Sequence, residues 1–221
     1  MTTRQSTTSC AATSQPSCPA RQVRLGITGG IGSGKSHVSH LLQEHWQVPV
    51  YDCDSEAKRL TASLPSIREA LTCLVGEALW QDGQLQKPLL AAYLFASPDH
   101  ARQVNAIIHP AVRQDFLRWA QQHTASPVVA IESAILCESG FDRLVDSIML
   151  VDAPRDVRLR RAMTRDGASR EQVQARMAQQ DSTLARAKAR FVVNNGDASP
   201  DDLVAQLQAV VDALRAGHQA T

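Results

Sequence analysis

The sequence predicts an α/β chain, a parallel sheet of five strands with helices on both faces. Three observations predict it. Short apolar runs alternate with stretches of helical spacing, the pattern of strands buried on both sides. A glycine-rich turn joins the first apolar run to the first helical stretch. The composition is 43% hydrophobic and 20% charged over 221 residues, which excludes a wholly disordered, collagenous or coiled-coil chain.

The elements follow in order. Residues 1–21 are rich in Ser, Thr and Gln, carry only Arg4 and Arg21 as charges, and read as a disordered tail. Order is expected from Val23, with a buried strand over 23–28, the turn Gly29-Gly30-Ile31-Gly32-Ser33-Gly34, and a helix from Lys35 to Trp46 that aligns Val38, Leu41 and Leu42. A second strand over 48–51 ends at Asp52-Cys53-Asp54. Residues 55–125 are mostly helical, with turns at Leu64-Pro65-Ser66, Asp82-Gly83 and Ser97-Pro98-Asp99, and with Pro110 opening a further helix through Trp119. Residues 127–131 form a third strand ending at Glu132, and 147–151 a fourth. A basic helix over 155–163, a turn over 164–167 and a helix over 169–180 follow, the last opened by a capping box of Ser169 and Gln172. A fifth strand over 191–193 ends at Asn194-Asn195-Gly196. The final helix, from Pro200 to Arg215, buries Leu203, Leu207, Val210, Val211 and Leu214.

Lys and Arg number 23 against 22 Asp and Glu, so no basic field for nucleic acid exists. The longest apolar stretch, 89–96, is far short of the roughly 20 residues that cross a bilayer, so no membrane partner is expected. Five cysteines without metal-ligand spacing, and no export signal, imply reduced thiols and a cytoplasmic chain. A monomer is the expectation, although no sequence feature fixes the oligomeric state.

The strongest signal is the run from Gly29 to Ser36, which fits G-x-x-x-x-G-K-[ST] between a strand and a helix. Gly32, Ser33 and Gly34 bring backbone N–H groups to phosphate oxygens, the helix N-terminus adds partial positive charge, Lys35 places a cation between the β- and γ-phosphates, and Ser36 offers a hydroxyl to Mg²⁺. The loop identifies a nucleoside triphosphate. A guanine-reading [NT]KxD element is absent, and the size suits a small-molecule kinase. Asp52 and Asp54 stand at the carboxyl end of a strand, where α/β sheets bind ligands; one of them is a candidate base and the alternative is a helix cap. Glu132, ending the third strand, is a candidate for Mg²⁺ through water or another cap. Arg161 and Arg165, one helical turn apart, are placed to meet the transferred phosphoryl group, or else form a solvated basic face.

At these residues the sequence resembles the dephospho-CoA kinase family, from about Val23 to Val211. Leu25-Gly26-Ile27-Thr28 precedes the loop as in that family, and Val50-Tyr51-Asp52-Cys53-Asp54 matches its "IDAD" segment. Asp82-Gly83-Gln84-Leu85, Leu89, Phe95 and Ile108-His109-Pro110 match its central stretch, and Ile135-Leu136-Cys137-Glu138 matches its "PLL-x-E". Arg161, Arg165-Asp166 and Gln180 match its lid, and Asn194-Asn195-Gly196 its "N-x-G".

The resemblance implies a P-loop NTPase fold, three-layered α/β/α, over residues 22–221. Its nucleotide core would comprise 22–54, 126–164 and 183–221, its helical CoA-binding insertion 55–125, and its lid 165–182. It implies ATP-dependent phosphorylation of the ribose 3′-hydroxyl of dephospho-CoA, the last step of coenzyme A biosynthesis, with Asp54 as base and Asp52 as support. Lys87 and His109 would meet the acceptor, and His37 and Arg161 the nucleotide. Departures from the pattern are His37 for Thr, Gln86-Lys87 for "DR", Ala134 for Pro and Arg190 for Asp. Lys87 keeps a cation but lacks the arginine fork. Two other readings remain: a different P-loop small-molecule or nucleoside kinase, and a nucleotide-binding regulator without turnover.

Overall fold

A computed structural model describes residues 21–178, 180, 183–196 and 199–219. The tail expected over 1–21 therefore lies, but for Arg21, outside the described residues. Five strands form a sheet in the order β2-β5-β1-β6-β7, and every neighbouring pair is parallel. These are β1 (Val23–Thr28), β2 (Val50–Asp52), β5 (Val128–Glu132), β6 (Ser147–Asp152) and β7 (Phe191–Asn194). The chain leaves β1 toward one edge and later crosses it to β6 on the other side, so the carboxyl end of β1 is a topological switch point.

Helices α1 (Lys35–Trp46) and α9 (Pro200–Gln219) cover one face, through Val38 and Leu42 against Leu203, Leu207 and Val211. The other face carries the helical segment: α2 (Cys53–Ser63), α3 (Pro65–Val75), α4 (Lys87–Ala96) and α5 (Pro98–Gln122). Leu60, Leu71, Val112 and Phe116 share one apolar core with Val129 and Ile131 of the sheet. The helical segment thus packs on the sheet as its second outer layer. The sequence places α6 (Arg155–Asp166), α7 (Arg170–Ala178) and α8 (Thr183–Lys188) after β6; Leu159, Ala162, Val173 and Met177 close a small third cluster between α6 and α7.

The expected elements are present, with five local corrections. Pro110 opens no helix; it lies inside the 25-residue α5. Its ring faces solvent while Val104, Val112, Phe116 and Ala120 remain buried on one stripe, so burial outweighs the roughly 3 kcal/mol that an interior proline costs. The start expected at Pro110 falls instead at Ser97, whose hydroxyl accepts from the His100 N–H, with Pro98 in the first turn. Asp82-Gly83 is more than a turn. Both residues have positive φ, 50° and 76°, and join the two-residue strands β3 (Trp80–Gln81) and β4 (Gln84–Leu85) in a hairpin.

The second strand begins at Val50 and not at 48, because the Val48 N–H closes α1 by donating to the Leu42 carbonyl. It ends at Asp52, and α2 starts at once. The turn expected over 164–167 is helical to Asp166; Gly167, φ 61°, caps α6 in the left-handed region. The capping box is present, with the Gln172 N–H on Ser169 Oγ at 3.3 Å and the Ser169 N–H on Gln172 Oε1 at 3.0 Å. Its helix is described over Arg170–Ala178 and does not include Gln180, and α8 is an element that the sequence pattern did not announce.

Candidate active site

The glycine loop spans the exit of β1 and the start of α1. Gly34 is the N-cap with φ 90°, and Gly32 has φ 75°. Both conformations are strained for any residue with a Cβ. Space forbids one as well: a Cβ on Gly32 would lie 2.1 Å from the Arg158 carbonyl oxygen. The Ser33 N–H donates to the Gly30 carbonyl at 3.1 Å, which closes the loop.

Other elements clamp it. Arg158 Nε of α6 donates to the Ile31 carbonyl at 3.1 Å, and the Ile31 N–H donates to Gln180 Oε1 at 2.7 Å. Asn195, after β7, donates from Nδ2 to the Ser33 carbonyl at 2.8 Å. Arg158 and Asn195 are contacts that sequence spacing does not reveal. The only trace is the pair of glycines whose missing Cβ atoms make room for them.

Lys35 folds back over its own loop, with Nζ 3.0 Å from the Gly29 carbonyl and 3.4 Å from that of Gly30. Burial pushes its ammonium below the ordinary value, Glu132 and Asp54 oppose this, and Arg165 and Arg158 reinforce it. The lysine, both carboxylates and both arginines therefore share one electrostatic neighbourhood. Ser36 is exposed in the first turn of α1, beside an exposed His37.

Glu132 is buried and accepts from Ser36 Oγ at 2.9 Å and from Ser39 Oγ at 2.6 Å. Ser39 was not among the expected residues, although its spacing of three from Ser36 places both hydroxyls on one helix face. Among the described residues no group of three His, Cys, Asp or Glu side chains could hold a metal ion alone. Mg²⁺ needs no such cage: one or two carboxylates or hydroxyls, phosphate oxygens and water suffice, and the Ser36–Glu132 pair fits that hard-oxygen chemistry.

Asp52 lies beside Glu132 in the parallel register of β2 and β5. Its carboxylate caps α2, accepting from the Asp54 N–H at 3.0 Å and from Ser55 Oγ at 2.6 Å. The cap reading thus describes Asp52, while Asp54 presents an exposed carboxylate in the first turn of the same helix. Behind it, Tyr51 is buried against Phe116 and Trp119 and donates to Asp115 Oδ2 at 2.9 Å, which anchors the start of α2 to α5. Cys53, between the two aspartates, is buried, and burial holds its thiol in the protonated form.

The two arginines hold different partners. Arg161 donates to the Asn195 carbonyl at 2.7 Å, and Arg165 is exposed and paired with Asp166 at 2.7 Å. Lys87 and His109 also separate. Lys87, with Lys58 and Arg59, rims a groove of about 860 Å³ walled by Trp80, Leu85, Leu90 and Leu94. His109 lines a second cavity of about 650 Å³ with Arg102, Arg113 and Glu138. Burial and Arg113 lower the His109 pKa below its ordinary 6.5, so its imidazole is neutral at neutral pH.

Phosphate handling is what the loop, the half-buried lysine and the hydroxyl–carboxylate pair have in common, and it places the chain among the P-loop nucleotide-binding α/β proteins. The comparisons with known proteins are more specific. The family model described as dephospho-CoA kinase matches residues 23–201. A dephospho-CoA kinase of Bacteroides fragilis is 49% identical over 179 residues, 80% of this chain and 87% of that one. Another, from Porphyromonas gingivalis, is 47% identical over 195 residues, 87% and 95% of the two chains. The crystal structure of a Thermus thermophilus protein superposes with a TM-score of 0.75 at 35% identity, covering 87% of this chain and 97% of that one. The chain belongs to the dephospho-CoA kinase family.

Proposed function

We propose that the protein transfers the γ-phosphoryl group of ATP to the ribose 3′-hydroxyl of dephospho-CoA, giving CoA and ADP. The observation that carries this reading is the extent of the family match: it spans residues 23–201, from β1 past the helical segment and α7 to the start of α9, beyond the glycine loop that many kinases share.

The glycine loop holds the triphosphate, and Lys35 leaves its two carbonyl partners to meet the β- and γ-phosphates. Asp54 accepts the 3′-hydroxyl proton as that oxygen bonds to the γ-phosphorus, and the bond from the γ-phosphorus to the bridging oxygen breaks to release ADP. Asp52 supports this by holding the first turn of α2, and so the Asp54 main chain, in place. Ser36 and Glu132 would hold Mg²⁺, which supplies charge neutralisation on the phosphate oxygens. Arg165, released from Asp166 when the 165–182 lid closes, supplies a further cation to the transferred group.

The acceptor meets the helical segment. Lys58 follows Asp54 by one helical turn, so the 860 Å³ groove opens beside the proposed base. Its cationic rim of Lys58, Arg59 and Lys87 suits a diphosphate, and its apolar wall the chain beyond it. His109, neutral and in the second cavity, would offer a hydrogen bond only to a part of the acceptor that lies outside this groove. His37 stands by the nucleotide. We take the protein to act in the cytoplasm as a monomer, which size-exclusion chromatography with light scattering would check.

The test is ADP release from Mg²⁺–ATP with dephospho-CoA, adenosine, AMP or shikimate as acceptor. ADP that appears only with dephospho-CoA, with CoA as co-product, is the expected result. Turnover with another acceptor alone would replace the substrate and keep the kinase. Tight ATP binding without turnover on any acceptor would leave a regulator.

A further inference from the structure

Asn195 and Ser33 are joined across 162 residues of sequence by the bond from Asn195 Nδ2 to the Ser33 carbonyl. Asn195 is 9% exposed and held from both sides. Its N–H donates to the Asp152 carbonyl at 2.7 Å, and its own carbonyl accepts from Arg161 Nη1 at 2.7 Å. A Cβ on Gly34 would lie 2.0 Å from Asn195 Nδ2, so the amide occupies the space that this glycine leaves. The peptide unit between Ser33 and Gly34 is planar and trans, so its C=O and N–H point in opposite directions.

We propose that Asn195 is a positioning residue for the nucleotide. By holding the Ser33 carbonyl outward it turns the Gly34 N–H into the mouth of the loop, toward the triphosphate. Without it the two-glycine segment samples other orientations, and binding bears the cost of ordering them. Arg161 acts through Asn195, as its buttress. The inference rests on the reading of ATP as the phosphoryl donor, and it assigns work to a residue that touches the loop from behind.

The experiment is calorimetric titration of the full chain with Mg²⁺–ATP between pH 5 and 8, for the wild type, Asn195→Asp and Asn195→Ala, with melting temperatures and the KM for the acceptor measured alongside. Asn195→Asp keeps the shape and removes the donor at pH 8. ATP should bind about 10- to 100-fold more weakly there. The loss should shrink toward pH 5, as the new carboxyl takes up a proton and regains a donor. Asn195→Ala should be weak at every pH, and the acceptor KM should stay within about twofold of wild type.

If Asn195→Asp binds ATP like the wild type at pH 8, the inference is overturned and the ATP reading stands. A loss that is equal at all pH and parallels the fall in melting temperature also overturns it, as a purely structural effect. A wild type that does not bind ATP overturns the reading beneath it. Should both variants fail to fold, Arg161→Lys decides: it loses the forked contact with the Asn195 and Gly196 carbonyls and should weaken ATP about three- to tenfold. Unchanged affinity in that variant overturns the inference.

Discussion

The glycine loop and the helical segment from α2 to α5 face the same site and are built by opposite means. The loop is main chain held from behind: Arg158, Gln180 and Asn195 fix its peptide groups, and buried Glu132 takes the hydroxyls of Ser36 and Ser39. The helical segment is a packed scaffold whose chemistry sits on exposed or half-buried side chains, Asp54, Lys58, Lys87 and His109. The difference teaches where each half of the reaction stores its order. A triphosphate is met by pre-set N–H groups, whereas the acceptor is met by long side chains that must be ordered when it binds.

Substitutions can break or sharpen that contrast. The largest effect is expected at Asp54. Asp54→Asn should lower kcat by about 10²–10⁴ with ATP affinity within a few fold of wild type, read by steady-state kinetics beside calorimetry. Retained turnover would move the base elsewhere. Lys35→Ala should lower kcat/KM by about 10²–10³ and weaken ATP, with the melting temperature nearly unchanged. A collapse of the fold would show that the lysine's carbonyl contacts hold the loop together.

On the acceptor side, Lys87→Ala should raise the KM for dephospho-CoA about three- to tenfold and leave the KM for ATP unchanged, since an exposed cation contributes modestly. An equal rise for ATP would dissolve the division between the two regions. The smallest effect is expected at His109. Its pKa is lowered on folding, so the unfolded chain binds more protons just below pH 6.5 and stability falls as pH drops through that window. The melting temperature should decline between pH 7 and pH 5, and His109→Gln should flatten part of that decline. An unaltered pH profile in His109→Gln would show that the imidazole is not held in its neutral form.

How far the site was legible depended on whether its signal was local. The loop was read from eight consecutive residues because positive φ, close backbone approach and a helix start all demand particular residue types in a fixed order. The roles of Asp52 and Asp54 were left open by sequence, since a capping aspartate and a base carry the same letter. The hydrogen bonds from the α2 N–H groups show Asp52 as the cap, and Asp54 as base is our proposal. At Pro110 the structure departs from the local pattern because propensity is local and the apolar stripe that carries α5 through it is anchored by distant partners. Helical spacing from Arg165 is what the sequence offers for Arg161. Spacing does not say that the Asn195 carbonyl lies within reach.

The sequence by itself determined the alternation of strands and helices, the sheet's parallel character, the phosphate loop and the pair of strand-end aspartates, because periodicity and backbone conformation are set by neighbours in the chain. Only the tertiary structure decided that the helical segment shares the sheet's core, that Lys87 and His109 face separate cavities, and that Arg158 and Asn195 hold the loop from behind. Those contacts join residues up to 162 positions apart. They exist because a sheet whose strand order departs from chain order brings the carboxyl ends of β1, β6 and β7 to one edge, and no local pattern records which distant group will be there.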